Sequence, residues 1–272
     1  MKGVLIKDLE AKIFDSHAHY DDEAFDADRD ALLGSLPQNG VGAVVNVGAS
    51  IETSRMSLEL AKKYPHVYAA VGVHPENADE VNEKCLEWIS EQTGYEKVVA
   101  VGETGLDYHY EGFDKNVQRE AFEGQLAIAE RTNLPLIIHS RDAAEDTLRI
   151  IKKHMEGRKT NRENPGVIHC FSYSKEMAQE YLKMGFYIGI GGVVTFSNAK
   201  KLKEVAAEIS LDRILLETDC PYLSPVPNRG KRNSSLNLSY VVAEIAKIRN
   251  ISENELIKAT WDNARRMYGL SV

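Results

Sequence analysis

The sequence has few cysteines, no long apolar run and no excess of positive charge. Its 272 residues include three cysteines, an odd number at wide spacing, which argues against a disulfide framework and favours a reducing compartment. No apolar run approaches the ~20 residues that a membrane span needs. Charges interrupt residues 1–8 too early for a secretory signal. We therefore expect a cytoplasmic protein without a membrane segment.

The charge balance limits the partners that the protein can bind. The formal net charge is −8, whereas a protein that grips long duplex nucleic acid usually has a basic face. Any contact with nucleic acid is therefore expected to be local: a strand end, a flap or a few single-stranded nucleotides. The composition gives no indication of an obligate protein partner.

Short runs rich in β-branched residues alternate with longer stretches of helical spacing. The predicted strands are 13–19, 43–48, 67–74, 98–107, 136–141, 167–172, 186–191 and 214–219. The predicted helices are 22–35, 52–63, 80–91, 115–131, 143–155, 175–184, 199–208, 236–249 and 252–268. Apolar strands separated by helices are typical of a parallel sheet with a covered outer side. Eight such units predict one α/β domain over 1–272, a TIM (β/α)8 barrel.

The main alternative is an open, doubly wound sheet. That fold usually carries a glycine-rich phosphate loop after its first strand, and this sequence has none there. Helix ends are marked by capping side chains and by glycines just past the last turn. The predicted N-caps are Asp114, Asp142, Ser174 and Ser252, and the predicted C-terminal glycines are Gly40, Gly185 and Gly269. The polar segment 156–165 is interpreted as a solvated loop without a function.

Histidines and carboxylates collect at the predicted C-terminal ends of the strands, where barrel enzymes build their active sites. His17 and His19 are two residues apart, so both side chains lie on one face of the first strand. The others are His74, Glu103, His139, His169 and Asp219. Each histidine alone could be a satisfied core residue. A buried carboxylate such as Glu103 or Asp219, however, needs a cation or strong donors beside it.

Together these residues indicate a metal site at the C-terminal face of the strands. Four histidines and two carboxylates are too many ligands for one tetrahedral ion and suit two divalent ions. Glu103 is the expected bridge, because it lies near the middle of the strand order. The imidazole–carboxylate mixture favours Zn or Mn, with Mg as the third candidate. Glu217 is interpreted as structural, and Cys170 and Cys220 are expected to point away from the site.

Six short segments occur in order along nearly the whole chain. They are Asp-Ser-His-Ala-His at 15–19, Gly-Val-His-Pro at 72–75, Gly-Glu-Thr-Gly-Leu-Asp-Tyr at 102–108, Ile-His-Ser-Arg at 138–141, His-Cys-Phe-Ser at 169–172 and Glu-Thr-Asp-Cys-Pro-Tyr-Leu at 217–223. The combination resembles the TatD family of metal-dependent deoxyribonucleases, which are metal-binding TIM barrels similar to amidohydrolases. The resemblance implies one ion held by His17, His19, Glu103 and Asp219, and another held by Glu103, His139 and His169. It also implies that His74 contacts substrate phosphate without binding metal.

The expected chemistry is hydrolysis by a metal-activated water. Asp219 is expected to position that water and accept its proton, while Glu103 bridges the ions. Arg141 and the loop 228–233, in particular Arg232, are the candidate cations for substrate phosphate. The loop departs from the family pattern at 234–236, where Ser-Ser-Leu stands in place of an acidic residue and a proline. This departure concerns the shape of the substrate pocket and not the metal ligands.

The favoured function is a metal-dependent phosphodiester hydrolase, a deoxyribonuclease with exonuclease action on single-stranded or frayed DNA ends. A first alternative is hydrolysis of another substrate at the same site: a phosphorylated small molecule, an amide or lactone, or an aminoacyl-tRNA ester. A second alternative is a metal-binding scaffold without catalytic activity. The complete ligand set weighs against the scaffold, and the candidate phosphate-binding cations favour the nuclease.

Overall fold

The computed structural model describes residues 12–156 and 164–270. These residues contain eight parallel strands that pair in sequence order. The strands are β1 (Ile13–Ala18), β2 (Val41–Val47), β3 (Val67–Val71), β4 (Val98–Asp107), β5 (Leu136–Arg141), β6 (Gly166–Ile168), β7 (Tyr187–Ile190) and β8 (Ile214–Leu216). A parallel bridge between Ala18 and Cys220 joins the two ends of the sheet. The predicted TIM barrel is confirmed.

Helices connect the strands and cover the outside of the barrel. They are α1 (Arg29–Ser35), α2 (Ile51–Lys63), α3 (Glu83–Gln92), α4 (Lys115–Thr132), α5 (Ala144–Met155), α6 (Lys175–Lys183), α7 (Lys200–Glu208), α8 (Leu238–Arg249) and α9 (Glu253–Tyr268). Within the described part of the chain, no helix combines the length and the apolar character needed to cross a bilayer. Residues 1–8 and most of the polar segment 156–165 lie outside the described residues, so the predictions for them, and the single domain over 1–272, stay predictions.

Two predicted helices begin later than their sequence pattern indicated. Residues 22–28 form a 3-10 turn (Glu23–Phe25) and a link before α1. Likewise, Pro75–Glu80 is a 3-10 helix, and α3 starts only where the Asn82 side chain accepts a hydrogen bond from the Cys85 N–H. At α3 a capping side chain, and not the apolar spacing, decides where the α-helix begins, whereas Asp28 before α1 makes no side-chain capping bond.

Most of the predicted helix caps are confirmed. Asp114, Ser174 and Ser252 each accept a hydrogen bond from the first turn of a helix. Gly40, Gly185 and Gly269 have φ values of 84°, 89° and 69°, the left-handed conformation that glycine adopts without a Cβ penalty. The prediction for Asp142 is wrong. It has φ 52° and its carboxylate lies 2.8 Å from the His109 ring, while the N-cap position of α5 is taken by Ala143.

Several strands end earlier than predicted, shortly before candidate functional residues. β6 ends at Ile168 and β8 at Leu216, so His169 and Asp219 lie just beyond the hydrogen-bonded ladder. The chain leaves the extended conformation here, because Cys170 and Asp219 have φ values of 46° and 56°. Likewise β3 ends at Val71 and leaves His74 in the following loop. The polar side chains therefore sit on short turns above the barrel.

The interior of the barrel is apolar and is closed at one end by α9. Phe14, near the start of β1, stacks on Tyr268 of α9 at 5.8 Å between ring centroids and meets the edge of Trp261 at 5.6 Å. The Tyr268 hydroxyl donates to the Ser16 carbonyl over 2.8 Å. Because α9 fills the end where the strands begin, a cleft can open only at the end where they finish.

An irregularity in β1 turns its histidines toward the barrel interior. Phe14 and His17 both face inward although they are three residues apart, which strict alternation would forbid. The pairing of β1 with β2 shifts register between Asp15 and Ala18, so one extra residue is accommodated. Because of this shift, β1 places Phe14 in the apolar interior near its start and its histidines in the polar cluster near its end.

We predict that Gly105→Ala lowers the free energy of unfolding by about 3 kcal/mol. Gly105 has φ 143°, and a β-carbon there would overlap the carbonyl oxygen of His139 on β5. Urea denaturation measures the change. Gly34→Ala is the matched control, because nothing lies within 4 Å of a β-carbon at Gly34. Equal effects of the two substitutions would contradict the prediction.

Candidate metal centre and catalytic cleft

A cleft of about 920 Å3 opens at the C-terminal ends of the strands. Its floor holds His19, His74, Glu103, His139, His169 and Asp219. Its walls come from the loops that follow the strands, with Arg141 and Tyr110 on one side and Tyr222 on the other. The fold thus gathers nearly all of the predicted ligands in one place, and His17 lies directly beneath them.

His17 and His19 form a pair, as their spacing predicted. Their Nε2 atoms are 3.0 Å apart. His19 Nδ1 lies 2.8 Å from the Val47 carbonyl oxygen, which only accepts hydrogen bonds, so Nδ1 carries a proton and Nε2 of the neutral ring offers a lone pair. Two ring nitrogens this close need a shared proton or a cation between them. The pair therefore suits a metal ion.

Glu103 occupies the centre of the cluster, and its two oxygens face different groups of histidines. Oε1 lies 2.9 Å from His139 Nδ1 and 3.6 Å from His169 Nε2. Oε2 lies 3.3 Å from His17 Nε2 and 3.7 Å from His19 Nε2. The residue is only 3% exposed. A single carboxylate that reaches two sets of imidazoles has the arrangement of a bridge between two cations.

Asp107 orients His139, a role of Asp107 that the sequence did not predict. Its Oδ2 lies 3.0 Å from His139 Nε2, so the ring has one nitrogen toward Asp107 and the other toward Glu103. Asp107 is buried. A carboxylate that holds the far nitrogen of a metal-binding histidine fixes its ring and raises its basicity. Glu103 and Asp107 are separated by an even number of positions on β4, which places both side chains on one face of the strand. This spacing was the signal that could have revealed the role of Asp107.

Glu217 supports His169 from below. Its Oε1 lies 3.3 Å from His169 Nδ1 and accepts a hydrogen bond from the Cys170 N–H over 2.6 Å. This agrees with its interpretation as structural. The orientation predicted for Cys170 is wrong, because its ligand atom lies within 4.8 Å of those of His169 and Asp219. The positive φ of Cys170 breaks the alternation on which that prediction depended.

Asp219 stands at the open side of the cluster. Its Oδ1 lies 3.3 Å from His19 Nε2 and 3.7 Å from the Nε2 atoms of His17 and His169. Its side chain is 18% exposed, against 5% for Glu103. This carboxylate therefore faces both the histidines and the solvent of the cleft.

The neighbouring carboxylates shift the histidine pKa values strongly. Burial opposes protonation of His19, but the hydrogen bond and charge of Asp219 outweigh it and raise its pKa to about 10. Burial is likewise outweighed at His139, where Asp107 and Glu103 raise the pKa to about 9. At His169 the charges of Glu217 and Glu103 raise the pKa to about 8. Without metal the cluster therefore holds protons at neutral pH.

The donor set fits divalent metal ions. His17, His19 and Asp219 form one group of converging ligand atoms, and Glu103, His139 and His169 form a second. Neutral imidazoles and carboxylates are ligands for Zn or Mn, and they take up a cation in place of the protons that they otherwise share. The assignment of particular residues to particular ions, which the family resemblance implied, stays a prediction.

The predicted substrate-binding residues are not all in the cleft. His74 and Arg141 line it, and Arg141 lies over the Tyr110 ring at 5.1 Å. Arg232 is not among the described residues that line the cleft. Its guanidinium forms two hydrogen bonds with the Asp28 carboxylate, 2.7 and 2.6 Å long. The structure therefore does not support Arg232 as a phosphate ligand, because its charge is already paired.

Comparison with known proteins identifies the family. Residues 14–269 match the family described as TatD related DNase, and the chain belongs to it. It is 43% identical over 259 residues to YabD of Bacillus subtilis, named as an uncharacterized metal-dependent hydrolase, covering 95% of this chain and 100% of YabD. It is 36% identical over 263 residues to YcfH of Escherichia coli, which carries the same description, covering 96% and 97% of the two chains. These relatives support a metal-dependent hydrolase.

A solved structure agrees with the fold. The crystal structure of YjjV, a TatD homologue from E. coli, superposes with a TM-score of 0.88 at 30% identity, covering 98% of this chain and 100% of that one. A TatD-family hydrolase from Entamoeba histolytica has a TM-score of 0.84 at 24% identity, covering 97% and 100%. The barrel fold is therefore that of the family.

We predict that metal binding releases protons and weakens as the pH falls. The raised pKa values of His19, His139 and His169 keep these rings charged below pH 8, and a metal binds only the neutral ring. Titration of the metal-free protein with Zn at pH 7, in buffers of different ionisation enthalpy, should show release of about three protons, one from each of these rings.

His66→Gln is the control for this titration. His66 lies outside the cluster and bonds to the Leu33 carbonyl, so its replacement should leave the proton count unchanged. Zinc binding without proton release, or with an affinity independent of pH between 6 and 8, would contradict the assignment of these histidines as ligands.

Proposed function

We propose that this member of the TatD related DNase family is a two-metal phosphodiesterase that removes nucleotides from single-stranded or frayed DNA ends. The observation that carries the proposal is the position of Glu103. Its two oxygens face separate histidine groups at the floor of an open cleft, next to the cationic side chain of Arg141. Two adjacent cations and a positively charged wall suit a phosphodiester better than an uncharged amide or lactone.

In this proposal His17, His19 and Asp219 would hold one ion, His139 and His169 would hold the other, and Glu103 would be a ligand available to both. When bound, the ions activate water and neutralise the charge that develops on the phosphate. Asp219 orients the attacking water and takes its proton, because it is the cluster carboxylate with the greater exposure to the cleft.

His74 serves the substrate and not the metal. Its Nδ1 accepts a hydrogen bond from the Glu76 N–H over 3.2 Å, so the ring proton is on Nε2. Burial lowers the pKa of His74 to about 3, which keeps the ring neutral at physiological pH. A neutral N–H donor can hold a non-bridging phosphate oxygen without a change of protonation state. Arg141 supplies a permanent positive charge on the same side of the cleft.

The walls of the cleft favour single-stranded ends. Tyr110 is 49% exposed and Tyr222 56% exposed, and both rings line the cleft. Exposed aromatic rings offer stacking surfaces to unpaired bases. The net charge of −8 agrees with a short contact and not with an extended duplex interface.

We predict that Glu103→Gln lowers kcat/KM for a 5′-labelled decanucleotide by about 10^3-fold. The amide keeps the size of the side chain but cannot bridge two cations. The assay follows stepwise shortening of the strand after metal stripping and reloading with Zn, Mn or Mg. Glu96→Gln is the matched control, because Glu96 is exposed and lies before β4, at the opposite end of the barrel. An intact decanucleotide with every metal, from a folded wild-type protein, would overturn the proposed function.

We predict opposite results for the two candidate arginines. Arg141→Ala should raise KM for the decanucleotide about tenfold, because it removes a charged donor from the cleft. Arg232→Ala should change KM less than about twofold, since Asp28 already neutralises its charge. Steady-state kinetics on the two purified variants distinguishes them. A larger effect on KM from Arg232→Ala than from Arg141→Ala would reverse the assignment.

A further inference from the structure

We propose that the groove beside the cleft binds a second nucleotide of a single-stranded substrate. In this proposal Arg229, which lies over Phe196, stacks on the base and attracts the adjacent phosphate. The inference rests on the proposed phosphodiester hydrolysis. We call this feature the side groove; it is lined by residues 22–24, 26, 196, 221–224 and 229–232. It measures about 920 Å3. Asp22, Glu23, Tyr222 and Leu223 line both the side groove and the cleft, so a strand can pass from one to the other.

The basic wall of the side groove has cations that no carboxylate neutralises. The Arg229 guanidinium lies over the Phe196 ring, 4.2 Å from its centroid. Within 12–156 and 164–270, no carboxylate oxygen lies within 4.0 Å of a side-chain nitrogen of Arg229 or Lys231, in contrast to Arg232 and its partner Asp28. Arg229 belongs to the loop 228–233, which the sequence predicted to supply cations for substrate phosphate, and that role of the loop stays a prediction.

Arg229 has the geometry of a stacking platform. Its guanidinium carbon lies over the Phe196 ring, and both side chains line the groove, so a planar cation is available there to a base. Bases stack on arginine planes as well as on aromatic rings, and the positive charge attracts the adjacent phosphate. Tyr222, at the junction of groove and cleft, adds an exposed ring beside this platform.

The loop that carries Arg229 is already held in place. The Val226 N–H donates to Thr195 Oγ1 over 2.8 Å, and the Ser224 hydroxyl donates to the Lys231 carbonyl over 2.6 Å. The Asn228 side chain donates to Asn237 Oδ1 over 3.0 Å. Because these bonds order the loop before the substrate arrives, binding does not need to order it.

The opposite wall is acidic and disfavours a duplex. Asp22, Glu23 and Asp26 lie on it; Asp22 accepts a hydrogen bond from the Tyr222 hydroxyl over 2.8 Å, and Asp26 accepts one from Arg29 over 2.6 Å. A single strand can place its phosphates against Arg229 and its bases across the groove. A duplex would bring a second phosphate backbone toward the acidic wall, which like charges oppose.

The test compares a long and a minimal substrate with the metal-loaded enzyme. The substrates are a single-stranded decanucleotide, which reaches the side groove, and bis(p-nitrophenyl) phosphate, which does not. For Arg229→Ala, we expect the ratio of KM for the decanucleotide to KM for the small diester to rise about tenfold. We also expect the slope of log KM for the decanucleotide against log salt to decrease by about 0.7, the loss of one phosphate contact.

Two further variants separate stacking from charge and from general effects. Arg229→Lys keeps the charge but loses the plane, so it should retain the salt slope and still raise the KM ratio. Lys62→Ala is the matched control: Lys62 also lies over an aromatic ring, that of Tyr95 at 5.9 Å, but in the last turn of α2, away from the cleft. It should leave both the KM ratio and the salt slope unchanged.

A measurement of binding affinity distinguishes failure of the side-groove subsite from failure of the nuclease proposal. A labelled phosphorothioate decanucleotide, followed by fluorescence anisotropy, should bind Arg229→Ala about tenfold more weakly than the wild type. If the wild type cleaves the decanucleotide but Arg229→Ala has an unchanged KM ratio and affinity, the side groove is not a subsite and the nuclease stands. If the wild type neither cleaves nor binds the decanucleotide but hydrolyses the small diester, both the nuclease and the subsite are overturned.

Discussion

The structure depends on one buried carboxylate that cannot remain there without positive charge around it. Glu103 is 3% exposed and is surrounded by the rings of His17, His19, His74, His139 and His169. These rings hold its pKa well below the ordinary value in spite of burial. In the absence of metal the positive charge comes from protons on the histidines, and divalent cations can replace those protons. The need of Glu103 for positive charge therefore explains both the protonated histidines of the metal-free cluster and its suitability as a metal-binding site.

The barrel satisfies this requirement by bringing the ends of distant strands together. α9 packs against Phe14 and closes the end where the strands begin, which leaves the polar cluster at the end where they finish. The apolar interior below the cluster keeps water from its floor, so that the carboxylates and imidazoles interact in a medium of low polarity. Asp107, hydrogen-bonded to His139, and Glu217, within 3.3 Å of His169 Nδ1, transmit the rigidity of the sheet to the ligands.

The acidic protein places unneutralised positive charge beside the proposed path of the substrate. Arg141 lies beside the cluster, and Arg229 and Lys231 lie on the wall of the side groove. Arg232 and Arg119, by contrast, are paired with Asp28 and Asp146. In the proposed function these cations attract a negatively charged strand over a short path, in agreement with the net charge of −8.

The sequence alone determined the barrel and the candidate metal ligands that collect at the C-terminal ends of its strands. Apolar strands that alternate with helices indicate a parallel sheet covered by helices on its outer side. When such a sheet closes into a barrel, histidines at the C-terminal ends of its strands come close together. Only the tertiary structure decided the details that depend on backbone conformation and on distant partners. Positive φ at Cys170 and Asp219 cannot be inferred from a strand pattern, yet it directs both side chains into the cleft. The same limit applies to Arg232 and Arg229, which stand three residues apart on one loop; one meets Asp28 and the other Phe196, because contacts across more than thirty positions of chain decide which charge stays available.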